Sequence, residues 1–162
     1  MQKVIFACVH NAGRSQMAAA FFNQFADPHR AHAICAGTEP GEQVHPGVVA
    51  VMQEAGLDLR DAKPQRLTAA LALDAQLLIT MGCGDNCPYV PGLRREDWPL
   101  RDPRDLPIEQ VRIIRDEIRC RVGALLEALG CAMGTRQESA AQALAGRRHS
   151  PSGEDAPLDG AD

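Results

Sequence analysis

The chain has 162 residues, of which 45% are hydrophobic, and this size and composition suit one globular domain with a buried core. Its formal net charge of −4 excludes nucleic-acid binding through a broadly basic surface, so an anionic ligand would need a local positive site. No apolar run is long enough to span a membrane, and residues 1–7 lack the pattern of a signal peptide. We therefore expect a cytoplasmic protein with no membrane partner.

Hydrophobic periodicity predicts strands that alternate with helices along the chain. The second helix has Pro46 in its first turn and Gly56 just past its end, which are typical helix boundaries. The alternation predicts an α/β fold: a three-layer sandwich in which a central parallel sheet of about four strands is flanked by helices. Predicted strands are 4–7, 32–36 and 77–81; predicted helices are 15–25, 45–54, 68–73 and 110–129, the last with an apolar stripe of Val111, Ile114, Ile118, Val122, Leu125 and Leu129.

The composition changes near the C-terminus. The end of the chain is rich in Ala, Gly, Ser, Pro and charged residues and has no sustained apolar face. We therefore predict one domain over residues 1–131, followed by a disordered tail over residues 132–162.

The most informative segment is the octapeptide 8–15, CVHNAGRS, which follows the first predicted strand and leads into the first predicted helix. Backbone N–H groups at a helix N-terminus form a cradle for an oxyanion, and the positive potential there favours the thiolate of Cys8. Arg14 adds a guanidinium whose planar fork can hold two oxygens of a tetrahedral anion. Ser15 is placed to donate its hydroxyl to the sulfur.

The residues inside the octapeptide favour an anion-binding loop. Asn tolerates left-handed backbone and Gly needs no Cβ clearance, so the N–H groups can turn inward. Taken alone, the spacing equally fits a buried cysteine ending a strand and a solvated arginine on a helix. The predicted oxyanion-binding residues are Val9, His10, Asn11, Ala12, Gly13, Arg14 and Ser15.

The chain has six cysteines, which in a cytoplasmic protein indicates redox or metal chemistry rather than a disulfide framework. Cys83 and Cys87 form a close pair in a loop after the third predicted strand, and Cys83 should face the same crevice as Cys8. Zinc would need two more ligands, and no second close pair supplies them, so we predict no metal. Cys35 in a strand and Cys120 on a helix are interpreted as buried, inert thiols.

Together with three later segments, the octapeptide resembles the low-molecular-weight protein tyrosine phosphatase superfamily, which includes a branch of arsenate reductases. The resemblance runs from about Lys3 to Leu129 and implies the phosphatase-like fold. One of these segments, 80–88, resembles the cysteine-bearing segment of the arsenate reductases and is not expected in the phosphatases. The three segments are Ala-Gly-Thr-Glu-Pro at 36–40, Thr-Met-Gly-Cys-Gly-Asp-Asn-Cys-Pro at 80–88 and Trp-Pro-Leu-Arg-Asp-Pro at 98–103.

The resemblance implies the reduction of arsenate to arsenite, with no tightly bound cofactor. Cys8 would attack arsenate held by the loop and Arg14, and a covalent adduct would form. Asp102 would protonate the departing oxygen, although an Asp-Pro pair alone signals only a turn, and Asp105 competes for the role. Phosphate or sulfate would compete for the same loop.

A second thiol must resolve the adduct, and two routes stay open. In the first, external mycothiol attacks and a mycoredoxin reduces the product; segment 80–88 looks closer to this actinobacterial branch. In the second, Cys83 and Cys87 act in sequence and thioredoxin restores them. A low-molecular-weight protein tyrosine phosphatase is a further alternative, weakened because Tyr89 is the only tyrosine, and a regulator that binds arsenicals or metals without turnover is the last.

Overall fold

A computed structural model describes residues 1–82 and 90–133. Four strands form one sheet in the order β2-β1-β3-β4, and every neighbouring pair is parallel. The α/β fold predicted from the sequence, with a central parallel sheet of about four strands, is confirmed. The strands are β1 Gln2–Cys8, β2 Ala31–Gly37, β3 Leu77–Thr80 and β4 Arg94–Asp97.

Strand β4 is the one that the sequence did not locate. Its residues, Arg-Arg-Glu-Asp, are all charged, so the segment shows neither the apolar run nor the alternation that predicts a strand. It lies at the edge of the sheet beside β3, where charged side chains keep the open edge solvated and discourage pairing with another chain. The sheet edge therefore explains a strand with no apolar residue.

The four predicted helices are present, with shifts at their ends: α1 lies between β1 and β2, α2 and α3 lie between β2 and β3, and α4 follows β4. Helix α1 begins at Arg14 and α4 at Ile108, slightly earlier than the periodicity indicated. Helix α3 is a single short turn that begins after Thr68, whose Oγ1 accepts a hydrogen bond from the N–H of Leu71 at 3.1 Å. The helices are α1 Arg14–Phe25, α2 Pro46–Glu54, α3 Ala69–Ala72 and α4 Ile108–Leu129.

Side chains of β1 are buried on both faces of the sheet. Phe6 and Cys8 point into the larger cluster, which includes residues of α1, α2 and α4. Ile5 and Ala7 point into a smaller cluster on the opposite face, beside α3. Because successive side chains alternate between faces, a strand covered on both sides reads as the continuous apolar run from which β1 was predicted. The covered central strand fixes the position of Cys8 at its carboxyl end.

Helix α4 closes the larger cluster with its apolar stripe. The first four residues of the predicted stripe are buried, and the fifth buried residue of the helix is Leu126, where the sequence predicted Leu125. Leu125 and Leu129 are only partly buried, because the buried positions continue at a spacing of four residues from Ile114 through Leu126. The helix ends at Leu129 and is capped by Gly130, whose φ of 68° is the left-handed conformation that favours glycine.

The described chain continues past Gly130 to Met133. Ala132 pairs with Ala26, and the N–H of Met133 donates to the carbonyl of Phe25 at 2.9 Å. The tail predicted to be disordered lies, from residue 134 onward, outside the described residues. Within the described residues, no helix has the length and apolar character needed to cross a membrane.

Candidate active site

The predicted anion loop joins the end of β1 to the start of α1, at the carboxyl edge of the sheet. Asn11 in this loop has a φ of 50°, the left-handed conformation that asparagine tolerates better than most residues. The chain turns sharply there and enters α1 at Arg14. This order of strand, loop and helix is the one in which the Cys-x5-Arg-Ser spacing indicates an anion-binding loop.

Every carbonyl oxygen of residues 8–13 accepts a hydrogen bond from the surrounding protein. In a trans peptide the carbonyl of one residue and the N–H of the next point in opposite directions, so the N–H groups of residues 9–14 point away from those partners. The loop thus presents donors to the space above Cys8, which suits an oxyanion. In order, the donors to these carbonyls are the N–H groups of Thr38 (3.2 Å), Glu39 (2.8 Å) and Gly41 (2.9 Å), the side-chain amide of Gln16 (3.0 Å), and the N–H groups of His45 (2.9 Å) and Met17 (3.0 Å).

Gly37 lets the end of β2 approach this loop. A Cβ at this position would lie 2.7 Å from the Val9 carbonyl oxygen and 2.9 Å from the Asn11 nitrogen. Both neighbours are backbone atoms of the anion loop, so neither can rotate away. Only glycine at position 37 leaves room for the anion loop, which gives a physical reason for the glycine of segment 36–40.

We expect Gly37→Ala to lower the free energy of unfolding by about 1–3 kcal/mol, the usual cost of overpacking. Because the displaced atoms belong to the anion loop, phosphate should also bind at least about tenfold more weakly. Gly123→Ala is the matched control, since a Cβ there meets no atom within 4 Å and replaces glycine within α4. Urea unfolding and phosphate titration measure the two effects; equal behaviour of the two variants contradicts the assignment.

Cys8 is buried, and its sulfur lies 2.9 Å from the hydroxyl oxygen of Ser15. That oxygen accepts a hydrogen bond from Asn11 Nδ2 at 2.7 Å. With its acceptor role taken by Asn11, the Ser15 hydroxyl can give its own proton to the sulfur. This donation and the N-terminus of α1 both bring positive potential to the Cys8 sulfur, as a nucleophilic sulfur requires.

The orientation of the Asn11 side chain is fixed by its other partners. Its Oδ1 accepts from the backbone N–H of Gln65 at 2.9 Å and from Gln16 Nε2 at 3.2 Å. A backbone N–H can only donate, so Oδ1 must face Gln65 and Nδ2 must face Ser15. Sequence reasoning missed both glutamines. Gln16 carried a weak signal as a polar residue next to the loop, whereas the Gln65 contact uses its backbone and left none.

Arg14 is buried, and only the two terminal nitrogens of its guanidinium have partners among the described residues. Nη1 donates to the carbonyl of Leu100 at 3.0 Å, and Nη2 lies 3.7 Å from Asp102 Oδ2. Its Nε has no hydrogen-bond partner among the described residues, although a buried donor normally has one. An oxyanion in the loop would satisfy it. Gly82 makes room for this side chain, because a Cβ there would lie 2.6 Å from Nη1.

Asp102 lies beside the guanidinium of Arg14, and its side chain is 42% exposed. Its Oδ1 accepts from the N–H of Arg104 at 3.0 Å, which is the turn interaction of an Asp-Pro pair. The next residue, Pro103, packs against the anion loop, since a Cβ on Gly13 would lie 2.8 Å from Pro103 Cγ. Asp105, the competitor for the acid role, points to solvent and lies 3.7 Å from Arg104. Of the two carboxylates, Asp102 is the one next to the arginine of the loop.

His45 is a residue near the loop that sequence reasoning did not single out. Its backbone N–H holds the Ala12 carbonyl, and its ring lies against Gly13, with Cδ2 3.6 Å from a Cβ built there. Burial lowers the pKa of His45, and the charge of Asp102 opposes that shift. His10 lies in the loop, and its Nδ1 is 3.0 Å from the carbonyl oxygen of Glu39.

The remaining described cysteines differ in environment. Cys35 lies in β2, as predicted, and burial raises its pKa to about 11. Cys120 was predicted to be buried, and this is wrong: it is exposed on α4, outside the apolar stripe. Cys131 is buried just after α4. Cys83 and Cys87 lie outside the described residues.

We expect alkylation by iodoacetamide at pH 8 to separate these thiols. A thiol with the pKa of Cys35 is only about one part in 1,000 ionised at that pH, so it should react last. Cys8 should react fast, and phosphate should protect it by filling the loop, whereas Cys120 should react without phosphate protection. Mass spectrometry of tryptic peptides measures the three rates. Rapid labelling of Cys35 in the folded protein contradicts its assignment as an inert thiol.

Comparisons with known proteins identify the family of the chain. A sequence model of the family described as low molecular weight phosphotyrosine protein phosphatase matches residues 3–133. A putative arsenate reductase of Halobacterium salinarum is 36% identical over 126 residues, which cover 75% of this chain and 89% of that protein. The glutaredoxin arsenate reductase of Synechocystis sp. is 35% identical over 129 residues, which cover 78% and 97%.

A solved structure of an arsenate reductase is also similar to this chain. The thioredoxin-dependent arsenate reductase of Corynebacterium glutamicum is similar with a TM-score of 0.70 at 36% identity, over 80% of this chain. The match covers 62% of that protein, so this chain spans less than two thirds of its length.

Proposed function

Because the chain belongs to the low molecular weight phosphotyrosine protein phosphatase family, we propose that it uses the anion loop to reduce arsenate to arsenite. The observation that carries this choice is its identity to arsenate reductases, 36% and 35% over most of the chain. The sequence supplies a second feature, the pair Cys83 and Cys87, which a hydrolytic phosphatase does not need. We place the reaction in the cytoplasm, where thiols are kept reduced.

The first step is nucleophilic attack by Cys8 on arsenic. The loop N–H groups and Arg14 hold the arsenate oxygens, so a sulfur–arsenic bond forms while one arsenic–oxygen bond breaks. Asp102 gives its proton to the departing oxygen, which leaves as water. The Ser15 hydroxyl stabilises the thiolate before attack. Arsenic stays in the +5 state, so this step needs no reductant.

Resolution of the adduct supplies the two electrons. We propose that an external thiol, mycothiol, displaces Cys8 from arsenic, and that a mycoredoxin thiol then attacks the sulfur of the arsenic–thiol product. Arsenic leaves as arsenite in the +3 state, and the two thiols are joined in a disulfide. Phosphate and sulfate compete with arsenate for the loop without undergoing reduction.

A thioredoxin-coupled relay through Cys8, Cys83 and Cys87 is the second candidate. The Corynebacterium glutamicum relative is described as thioredoxin-dependent, which favours this route. In that mechanism Cys83 attacks Cys8, arsenite leaves, and Cys87 forms the final disulfide with Cys83. The two routes differ in whether Cys83 is essential.

Arsenite release with two reductant couples tests the proposal. We expect turnover with mycothiol plus mycoredoxin, and Cys83→Ser should change it by no more than about twofold because the external thiol resolves the adduct. Cys120→Ser is the matched control at an exposed cysteine. Turnover that needs thioredoxin and its reductase, and that Cys83→Ser abolishes, establishes the relay instead. Hydrolysis of an aryl phosphate with no arsenite from either couple assigns the protein to the phosphatases.

A further inference from the structure

A cavity of about 480 Å³ lies beside the anion loop and is larger than arsenate requires. It has the size of a small-molecule site, since such pockets span roughly 300–1,000 Å³. The anion loop forms one wall through His10 and Ala12, and the segment after Asp102 forms another through Pro103 and Arg104. Arsenate itself would sit on the loop N–H groups, so the cavity is free for a second molecule that reaches the same loop.

The cavity combines a mostly apolar wall with a few polar groups. His45 lies in it with its ring against Gly13. The charged and titratable groups that face this ring are Asp102, Arg104, His10 and Asp105. Burial lowers the pKa of His45, which favours the neutral imidazole, and a neutral imidazole has a lone pair that accepts a proton.

The incoming thiol of the proposed reaction needs such an acceptor. A free thiol titrates near pH 8.5, so only a few per cent of it is the reactive thiolate at pH 7. The attack requires the thiol proton to leave as the new sulfur–arsenic bond forms. Ser15 and the helix N-terminus face Cys8 and not the incoming thiol. Asp102 is left as a carboxylate by the first step, but it is already held by Arg14 and by the N–H of Arg104, and a carboxylate is a much weaker base than an imidazole.

We propose that this cavity binds the external thiol co-substrate, a low-molecular-weight thiol, and that His45 accepts its proton as its sulfur attacks the arsenic of the Cys8 adduct. This inference rests on the proposed function. The S–H bond breaks and its proton passes to the His45 imidazole; the new sulfur–arsenic bond forms, and the bond to Cys8 breaks with its electron pair returning to the Cys8 thiolate. Arsenic remains in the +5 state, so the step needs no oxidant or reductant.

His45→Asn removes the proton acceptor with little expected change in fold. His45 occupies the N-cap of α2 without making a side-chain cap bond, and asparagine is among the best N-cap residues. His29→Asn is the matched control at an exposed histidine outside the cavity. Far-ultraviolet circular dichroism and iodoacetamide labelling of Cys8 should be the same for both variants and the unchanged protein.

The test compares thiols of different acidity, with arsenite release as the readout. With mycothiol or 2-mercaptoethanol, which are largely protonated at pH 7, His45→Asn should lower kcat/KM for the thiol by about 100-fold, in the range of general-base catalysis. With 4-mercaptobenzoate, an aromatic thiol already ionised at pH 7, the loss should stay below about threefold, because no proton has to be removed. The defect with mycothiol should also shrink as the pH rises toward 9.

A binding measurement separates this inference from the proposed function. S-methylated mycothiol cannot react, and it should shift the nuclear magnetic resonance signals of the His45 ring but not those of His29. A shift without arsenite release from the unchanged protein overturns the proposed function and supports the cavity. Arsenite release with no shift, or with equal loss for all thiols in His45→Asn, overturns the inference and leaves the reductase standing. Unchanged rates in His45→Asn overturn it as well.

Discussion

Replacing Cys8 by serine should reduce arsenite release to the rate without enzyme, a loss of about 10⁴-fold or more. A serine hydroxyl is a far weaker acid than a thiol, so it attacks only if a base removes its proton. The neighbouring Ser15 hydroxyl is placed to donate a hydrogen bond to residue 8 and not to take a proton from it. The fold should survive, since the side chain keeps its shape and stays at the end of β1.

Phosphate binding separates loss of the nucleophile from loss of the site. We expect Cys8→Ser to bind phosphate with an affinity within about tenfold of the unchanged protein, as the loop N–H groups and Arg14 remain. Cys120→Ser, at an exposed cysteine of α4, should keep full turnover. Arsenite release by Cys8→Ser above the rate without enzyme means that another residue is the nucleophile.

The part of the site that the sequence predicted is the part made by local chain order. Cys8, the loop and Arg14 lie within eight residues between a strand and a helix, so periodicity predicted their place in the chain, while the family resemblance was needed to predict their role. Asp102 was placed by resemblance, and its position beside Arg14 depends on a loop 88 positions later in the chain. Hydrophobic periodicity predicts local elements and gives no information on contacts between residues so far apart in the chain.

The contacts that shape the loop could not be predicted, because they use backbone atoms. The N–H groups of Thr38, Glu39, Gly41 and His45 hold the loop carbonyls, and any residue except proline supplies an N–H. Gln65 acts in the same way on Asn11. Strand β4 was missed for a different reason, because its charged residues follow from its place at the sheet edge. The sequence therefore predicts candidate reacting residues, whereas the backbone contacts that orient them leave no sequence signal.

Replacing Arg14 by lysine should lower kcat/KM for arsenate by about 10²–10³-fold, equivalent to about 3–4 kcal/mol of transition-state stabilisation. The charge is kept, but the geometry is lost. The guanidinium is oriented by the Leu100 carbonyl and lies beside Asp102, which leaves Nε for the anion. An ammonium group is a compact point charge that cannot satisfy Leu100 and grip two oxygens at once. Attack develops negative charge on those oxygens, so the missing fork matters more in the transition state than in the ground state.

Competition by phosphate measures how much of this loss is in anion binding, and the rate at saturating arsenate measures how much is in kcat. Because the fork is needed most during attack, kcat should fall more than the affinity for phosphate in Arg14→Lys. Arg60→Lys is the matched control: Arg60 pairs with Asp58 at 2.8 Å on the exposed surface, where an ion pair contributes about 0–1 kcal/mol and touches no substrate. A raised KM for arsenate with kcat unchanged would show that Arg14 binds the anion equally before and during attack, which would leave the loop N–H groups as the main stabilisers of the transition state.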